Sequence, residues 1–125
     1  MDGADTAGVV RSLVEAVVRA DYEAAAALCA PELHISVQGF DEIDGHDGLR
    51  GLMEFQREIL RDASVEIHHV LTAGDTAAVE RTEHFTIGDE RVSLDVGAFF
   101  SLRDGLVTEW LDYQDLRDVI RALGH

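Results

Sequence analysis

Between Val79 and Ile87 the chain alternates with a period of two, and the side that ought to face a core carries an arginine and a glutamate. At strand spacing Val79, Arg81, Glu83, Phe85 and Ile87 share one face, while Glu80, Thr82, His84 and Thr86 share the other. Taking one ion out of water costs on the order of several kcal/mol unless it is paired and hydrogen-bonded. The pair therefore requires one of two folds around it: a core with a structural ion pair, or a cavity with a polar floor.

Length restricts the choice. In 125 residues that are 46% hydrophobic with one proline there is material for one domain, 1–125, with a real core. No stretch approaches the ~18 consecutive apolar residues of a membrane span. The opening Met1-Asp2-Gly3-Ala4-Asp5 lacks the basic segment of a signal peptide, so the expected location is cytoplasmic. A formal charge of −15, with ten Lys and Arg spread along the chain, argues against nucleic acid and anionic membranes as partners. The lone Cys29 has no disulfide partner and no zinc-type Cys/His spacing beside it, and reads as a small core residue.

Val9, Val10, Leu13, Val14, Val17 and Val18 form one helical stripe. Asp21 is placed to cap a second short helix running through Tyr22, Ala25, Leu28 and Cys29, which Pro31 ends. Leu33 to Gln38 alternates as a strand, Gly39 to Gly45 reads as a loop, and a helix follows from about His46 with Leu49, Leu52, Met53, Gln56 and Leu60 on one side. After Asp62 four strands are expected, Val65–Ala73, Thr76–Ile87, Arg91–Leu102 and Leu106–Tyr113, separated by Gly-containing turns short enough to imply antiparallel pairing. A short helix from Asp115 to Leu123 closes the chain. Helices and strands segregated in this way indicate an α+β fold, with helices covering a curved antiparallel sheet whose concavity would form a small-molecule pocket.

The last strand supplies a second carboxylate. Leu106, Thr108, Trp110 and Asp112 share a face by alternation, so Asp112 lies beside a tryptophan as Glu83 lies beside Arg81 and Phe85. Two carboxyls in different surroundings can divide into acid and base, with Arg81 able to orient either; alternatively, Asp112 only flanks the turn toward Asp115. His69 falls on the face of Val65, Ile67 and Leu71, where it is either a core residue or a pocket residue. Asp95 falls with Ser93 and Gly97 on a solvated face, and Tyr22 and Tyr113 either donate in the pocket or pack.

The element order, with Asp44-Gly45-His46-Asp47-Gly48-Leu49 opening the third helix, resembles the cone-shaped NTF2-like superfamily, a cystatin-like α+β barrel that includes ketosteroid isomerases and SnoaL-like polyketide cyclases. Two local motifs are more specific. Glu80-Arg81-Thr82-Glu83 is similar to the Glu-Arg-x-Asp of limonene-1,2-epoxide hydrolases. The run from Arg103 to Leu116 is similar to their closing Gly-Lys-Ile-x-x-Trp-Arg-Asp-Tyr-Phe-Asp-Leu. The resemblance implies a cofactor-free, metal-free epoxide hydrolase acting on a small or medium apolar, terpene- or polyketide-like molecule. Asp112 would activate water, Glu83 would protonate the epoxide oxygen, Arg81 would bridge the two, and Trp110 and Phe85 would wall the pocket. It also implies a homodimer.

This chain departs from that pattern at four places. Glu83 stands for an aspartate, Leu111 for an arginine and Gln114 for a phenylalanine. On the first strand the family's tyrosine and asparagine, which help position the water, fall by gap-free counting on Ile35 and Val37; a one-residue shift would instead bring His34, Ser36 and Gln38 to the pocket. A ketosteroid isomerase would need an acid near Gly97 or Ala98, where only small residues occur. SnoaL-like or epoxide-opening cyclases and a non-catalytic binding protein remain as alternatives.

Overall fold

The computed structural model describes residues 3–124. The elements are α1 (Gly3–Val18), α2 (Tyr22–Ala27), β1 (Cys29–Val37), β2 (Ile43–Asp44), α3 (Gly45–Ile59), β3 (Arg61–Ala73), β4 (Thr76–Ile87), β5 (Glu90–Arg103), β6 (Leu106–Gln114) and α4 (Arg117–Ala122). One six-stranded sheet has the order β2-β1-β6-β5-β4-β3, and the fold class is α+β as expected. The meander from β3 to β6 is antiparallel throughout. β1, however, runs parallel to β6, so the sheet is mixed rather than wholly antiparallel. Helix α3 carries the chain from β1 across to the far edge, and four strands later β6 arrives beside β1 pointing the same way. The curved sheet stays unclosed, with β2 and β3 as its edges.

Local chemistry sets the helix ends. Asp21 accepts the Ala24 backbone N–H at 3.1 Å and caps α2. Asp44 is the N-cap of α3 but makes no side-chain cap bond, because its carboxylate is engaged by His34 Nδ1 at 2.8 Å. Cys29 opens β1 rather than ending a helix; it is buried, and burial pushes its thiol up to about 12, so it is an inert core residue. The short β2, inside the segment read as a loop, pairs with β1.

Two bulges change which residues face inward. On β3, Ile67 pairs with Arg81 while His69 pairs with Glu80, leaving one extra residue between them. Val65 and Ile67 face inward before the bulge and Val70 after it, so His69 and Leu71 turn to the outer face, contrary to unbroken alternation. On β6, Ser101 pairs with Glu109 and Leu102 with Val107. Val107 is therefore buried, Thr108 is the displaced residue, and the inward set is Val107, Trp110, Asp112 and Gln114.

Helices α1, α2 and α3 cover one end of the inner face, where Leu13, Leu33, Ile35, Leu49, Phe100 and Trp110 form the larger core cluster. Helix α4 covers the other end, laying Val119 and Ala122 on a smaller cluster of Phe85, Ile87, Val92, Leu94 and Val96. Among the described residues, no helix is long and apolar enough to cross a membrane.

Candidate active site

The region between the two clusters is hollow. A cavity of about 400 Å³ opens between the inner face of β4, β5 and β6, the side of α3, and the residues around α4. That is a volume typical of small-molecule sites. Its wall is mostly apolar, with Val37, Leu52, Phe55, Phe85, Leu94 and Trp110 prominent, and Leu116, Val119 and Leu123 close one side. Arg81, Glu83 and Asp112 form its charged floor.

Alternation on β4 aims Arg81 and Glu83 inward, and the register Val96↔Arg81 and Ala98↔Asp112 brings β4 and β6 to opposite edges of β5. The side chains meet across the small residues of β5. Arg81 donates from Nε to Glu83 Oε2 at 2.7 Å, from Nη2 to Asp112 Oδ2 at 3.0 Å and from Nη1 to Asp112 Oδ1 at 3.4 Å. Trp110 Nε1 donates to Asp112 Oδ1 at 2.6 Å. Arg81 is 2% exposed and Asp112 7%. Burial disfavours the guanidinium charge, but attraction to Asp112 and Glu83, with the hydrogen bonds to both, outweighs it and holds Arg81 above the ordinary arginine value.

The two carboxylates are inequivalent. Three N–H contacts converge on Asp112. Among the described residues, Glu83 accepts one N–H, on Oε2, and its other oxygen has no protein donor. One guanidinium is thus shared between two carboxylates. Glu83 is the one with an oxygen left to face the cavity.

Asp112, Arg81, Glu83, Trp110 and Phe85 are thus brought together around one cavity. Four other residues expected at it are elsewhere. The gap-free register holds on β1, where Leu33 and Ile35 are buried and Val37 lines the cavity, so His34 and Ser36 are on the opposite face. His34 is bound to Asp44 and Glu42. Gln38 lies past the strand end, where its backbone N–H donates to the Asp112 carbonyl at 3.0 Å and its Oε1 accepts the Gln114 backbone N–H at 3.0 Å. The β3 bulge turns His69 outward, where Nδ1 meets Glu80 Oε1 at 2.6 Å. Tyr22 donates to the His46 carbonyl, and Tyr113 packs edge-on to Phe99 on the outer face, so neither hydroxyl reaches the cavity. Asp95 lies on the exposed face as expected, accepting from Thr82.

Sequence reasoning passed over three polar cavity residues, Asp41, Gln56 and Gln114. The two glutamines carried a signal: Gln56 falls in the apolar stripe of α3, and Gln114 falls two residues beyond Asp112 on the same face. Among the described residues, no cluster of three or more His, Cys, Asp or Glu is arranged to hold a metal ion.

Comparison with known proteins bears on this geometry. The model of the SnoaL-like domain family matches residues 10–110. The chain is 30% identical over 115 residues to epoxide hydrolase EphG of Mycobacterium tuberculosis, covering 91% of this chain and 76% of that protein. The structure of an LEH-like epoxide hydrolase of M. tuberculosis superposes with a TM-score of 0.81 at 27% identity, covering 96% of this chain and 90% of that one. An NTF2-like protein of unknown function from Burkholderia pseudomallei superposes over the full length of both chains with a TM-score of 0.89 at 17% identity, a likeness of fold.

Proposed function

The chain belongs to the SnoaL-like domain family, and from that premise we propose that it is a cofactor-independent epoxide hydrolase adding water to a small or medium apolar epoxide. The observation that carries this reading is the Arg81 bridge: one guanidinium bonded to two inequivalent carboxylates on the floor of an apolar cavity. The similarity to epoxide hydrolases supports it.

Asp112, held by Arg81 and Trp110, accepts a proton from water as the water oxygen bonds to an epoxide carbon. The carbon–oxygen bond of the ring breaks, and its electron pair takes the proton from Glu83. The product is a vicinal diol, leaving Asp112 protonated and Glu83 ionised; return of one proton from Asp112 to Glu83 resets the site. Ring strain favours opening, and each positioned acid or base contributes roughly 10²–10⁴ in rate. The apolar walls select a hydrocarbon body by burial alone.

One feature favours a second reading, an epoxide-opening cyclase. β1 presents only Ile35 and Val37 to this side of the site, and a hydroxyl of the substrate itself would need no separate water holder. The test is incubation of the protein with terpene-like and aryl epoxides in ¹⁸O-labelled water. Labelled diol that disappears with Asp112→Asn supports the hydrolase. Unlabelled cyclic ether favours the cyclase, and no turnover of any epoxide counts against both.

A further inference from the structure

We propose that Gln114 holds the attacking water beside Asp112, a positioning that the hydrolase reading requires and on which this inference therefore rests. The base has donors in place, and a water beside it needs a second acceptor; of the carboxylates in the same wall, Asp41 belongs to the loop between β1 and β2 and Glu83 is bonded to Arg81. Asp112 pairs with Val37 of β1 on one side and Ala98 of β5 on the other, and both are apolar. Its inward neighbours along β6 are Trp110, whose N–H is spent on Asp112 itself, and Gln114. Gln56, the other uncharged polar group of the wall, belongs to α3 and lines a smaller cavity of about 250 Å³ together with Glu83, which puts it on the side of the acid.

Gln114 is built to point where it does. Its backbone pairs with Val96 on one edge and donates to Gln38 Oε1 on the other, and the Gln38 backbone in turn donates to the Asp112 carbonyl. This clamp fixes Asp112 and Gln114 as one unit at the end of the strand, with both side chains on the inner face and, among the described residues, the Gln114 amide bonded to no other side chain. Residues two apart on a strand lie about 6.6 Å apart. A water bonded to both side chains at about 2.8 Å each spans about 5 Å, so it fits between their ends. One water hydrogen goes to Asp112 and is transferred as the new carbon–oxygen bond forms. The other is donated to Gln114 Oε1 and stays in the product hydroxyl, so an oxygen lone pair is left facing the epoxide carbon.

The experiment is steady-state hydrolysis of styrene oxide and limonene-1,2-oxide in ¹⁸O-labelled water by the wild type and by Gln114→Leu, Gln114→Asn and Gln114→Glu, with each variant's melting temperature checked. Gln114→Leu is expected to lower kcat about 10–100-fold with KM within about twofold, because the nucleophile is misplaced while the apolar substrate still binds. The label is expected to spread over both epoxide carbons. Gln114→Asn and Gln114→Glu, which keep an acceptor, should recover part of kcat. A Gln114→Leu enzyme with unchanged kcat, or changed only in KM, overturns the role of Gln114 and leaves the hydrolase standing. Absence of labelled diol from the wild type overturns both.

Discussion

Trp110 donates its indole N–H to Oδ1 of Asp112, two residues further along β6, at 2.6 Å. The same ring packs against Phe100 with centroids 5.2 Å apart, so core packing and the orientation of the candidate base depend on one side chain. Trp110→Phe keeps most of the packing and removes the donor. Hydrogen bonds to charged groups contribute about 1.5–3 kcal/mol, and a loss of that size is expected in urea unfolding. Epoxide turnover should fall as well, because Asp112 Oδ1 would then be held only by the 3.4 Å contact from Arg81.

Neutralising the two carboxylates should have unequal effects on stability. Glu83→Gln retains an oxygen to accept the Arg81 Nε–H, so a stability change of about 1 kcal/mol or less is expected, with turnover falling at least ~10²-fold as the proton donor is lost. Asp112→Asn turns an amide N–H₂ toward either the guanidinium or the indole, leaving donors facing donors in a buried site. Its expected penalty is about 3–5 kcal/mol, that of a broken buried pair. Denaturant melts of the two variants side by side check this; equal penalties would contradict the geometry.

Much of this site was legible in the sequence, and the parts that were not have a common cause. Arg81, Glu83 and Asp112 were recoverable because β4 alternates without interruption, and because Trp110 to Gln114 lies beyond the β6 bulge, where alternation is again regular. His69 was misassigned because a bulge of one residue inverts every face after it, and nothing in the Ile67-His68-His69-Val70 run distinguishes a bulge from a regular strand. The parallel β1–β6 pairing was hidden for another reason. Short turns reveal only neighbours in sequence, whereas this contact joins residues more than seventy positions apart. His34 and Ser36 were candidates only if the register slipped, and the hydrophobic demand of Leu33, Ile35 and Val37 prevents that slip.

His34 offers a test of pH dependence away from the cavity. Its hydrogen bond to Asp44, the largest influence, outweighs desolvation with the help of Glu42 and raises its pKa above the ordinary 6.5. A raised folded-state value means that the stabilisation is fully present below the unfolded-state pKa and is lost as pH rises through the folded one. His34→Gln should therefore lower the melting temperature at pH 5 and have progressively less effect toward pH 9. An effect growing with pH would contradict the β1–β2 clamp.

The mouth of the cavity depends on one glycine. Gly39 has φ +93°, and a Cβ built on it would lie 2.5 Å from Leu116 Cδ1. Phe40 donates its backbone N–H to Val37 here at 2.9 Å, so the turn cannot relax without disturbing the end of β1. Gly39→Ala therefore carries a backbone penalty of about 1–2 kcal/mol for the left-handed conformation. It must also displace Leu116, a cavity-wall residue at the start of α4. Arg81, Glu83 and Asp112 are untouched by that displacement, so the expected kinetic signature is a several-fold higher KM for apolar epoxides with kcat nearly unchanged. Leu116→Ala in the same background should relieve the clash and restore part of the lost stability without restoring KM, since the wall would still be short of its leucine. Melting curves and KM for the two variants, singly and combined, check both halves; recovery of KM in the double variant would mean that Leu116 is not part of the substrate's wall.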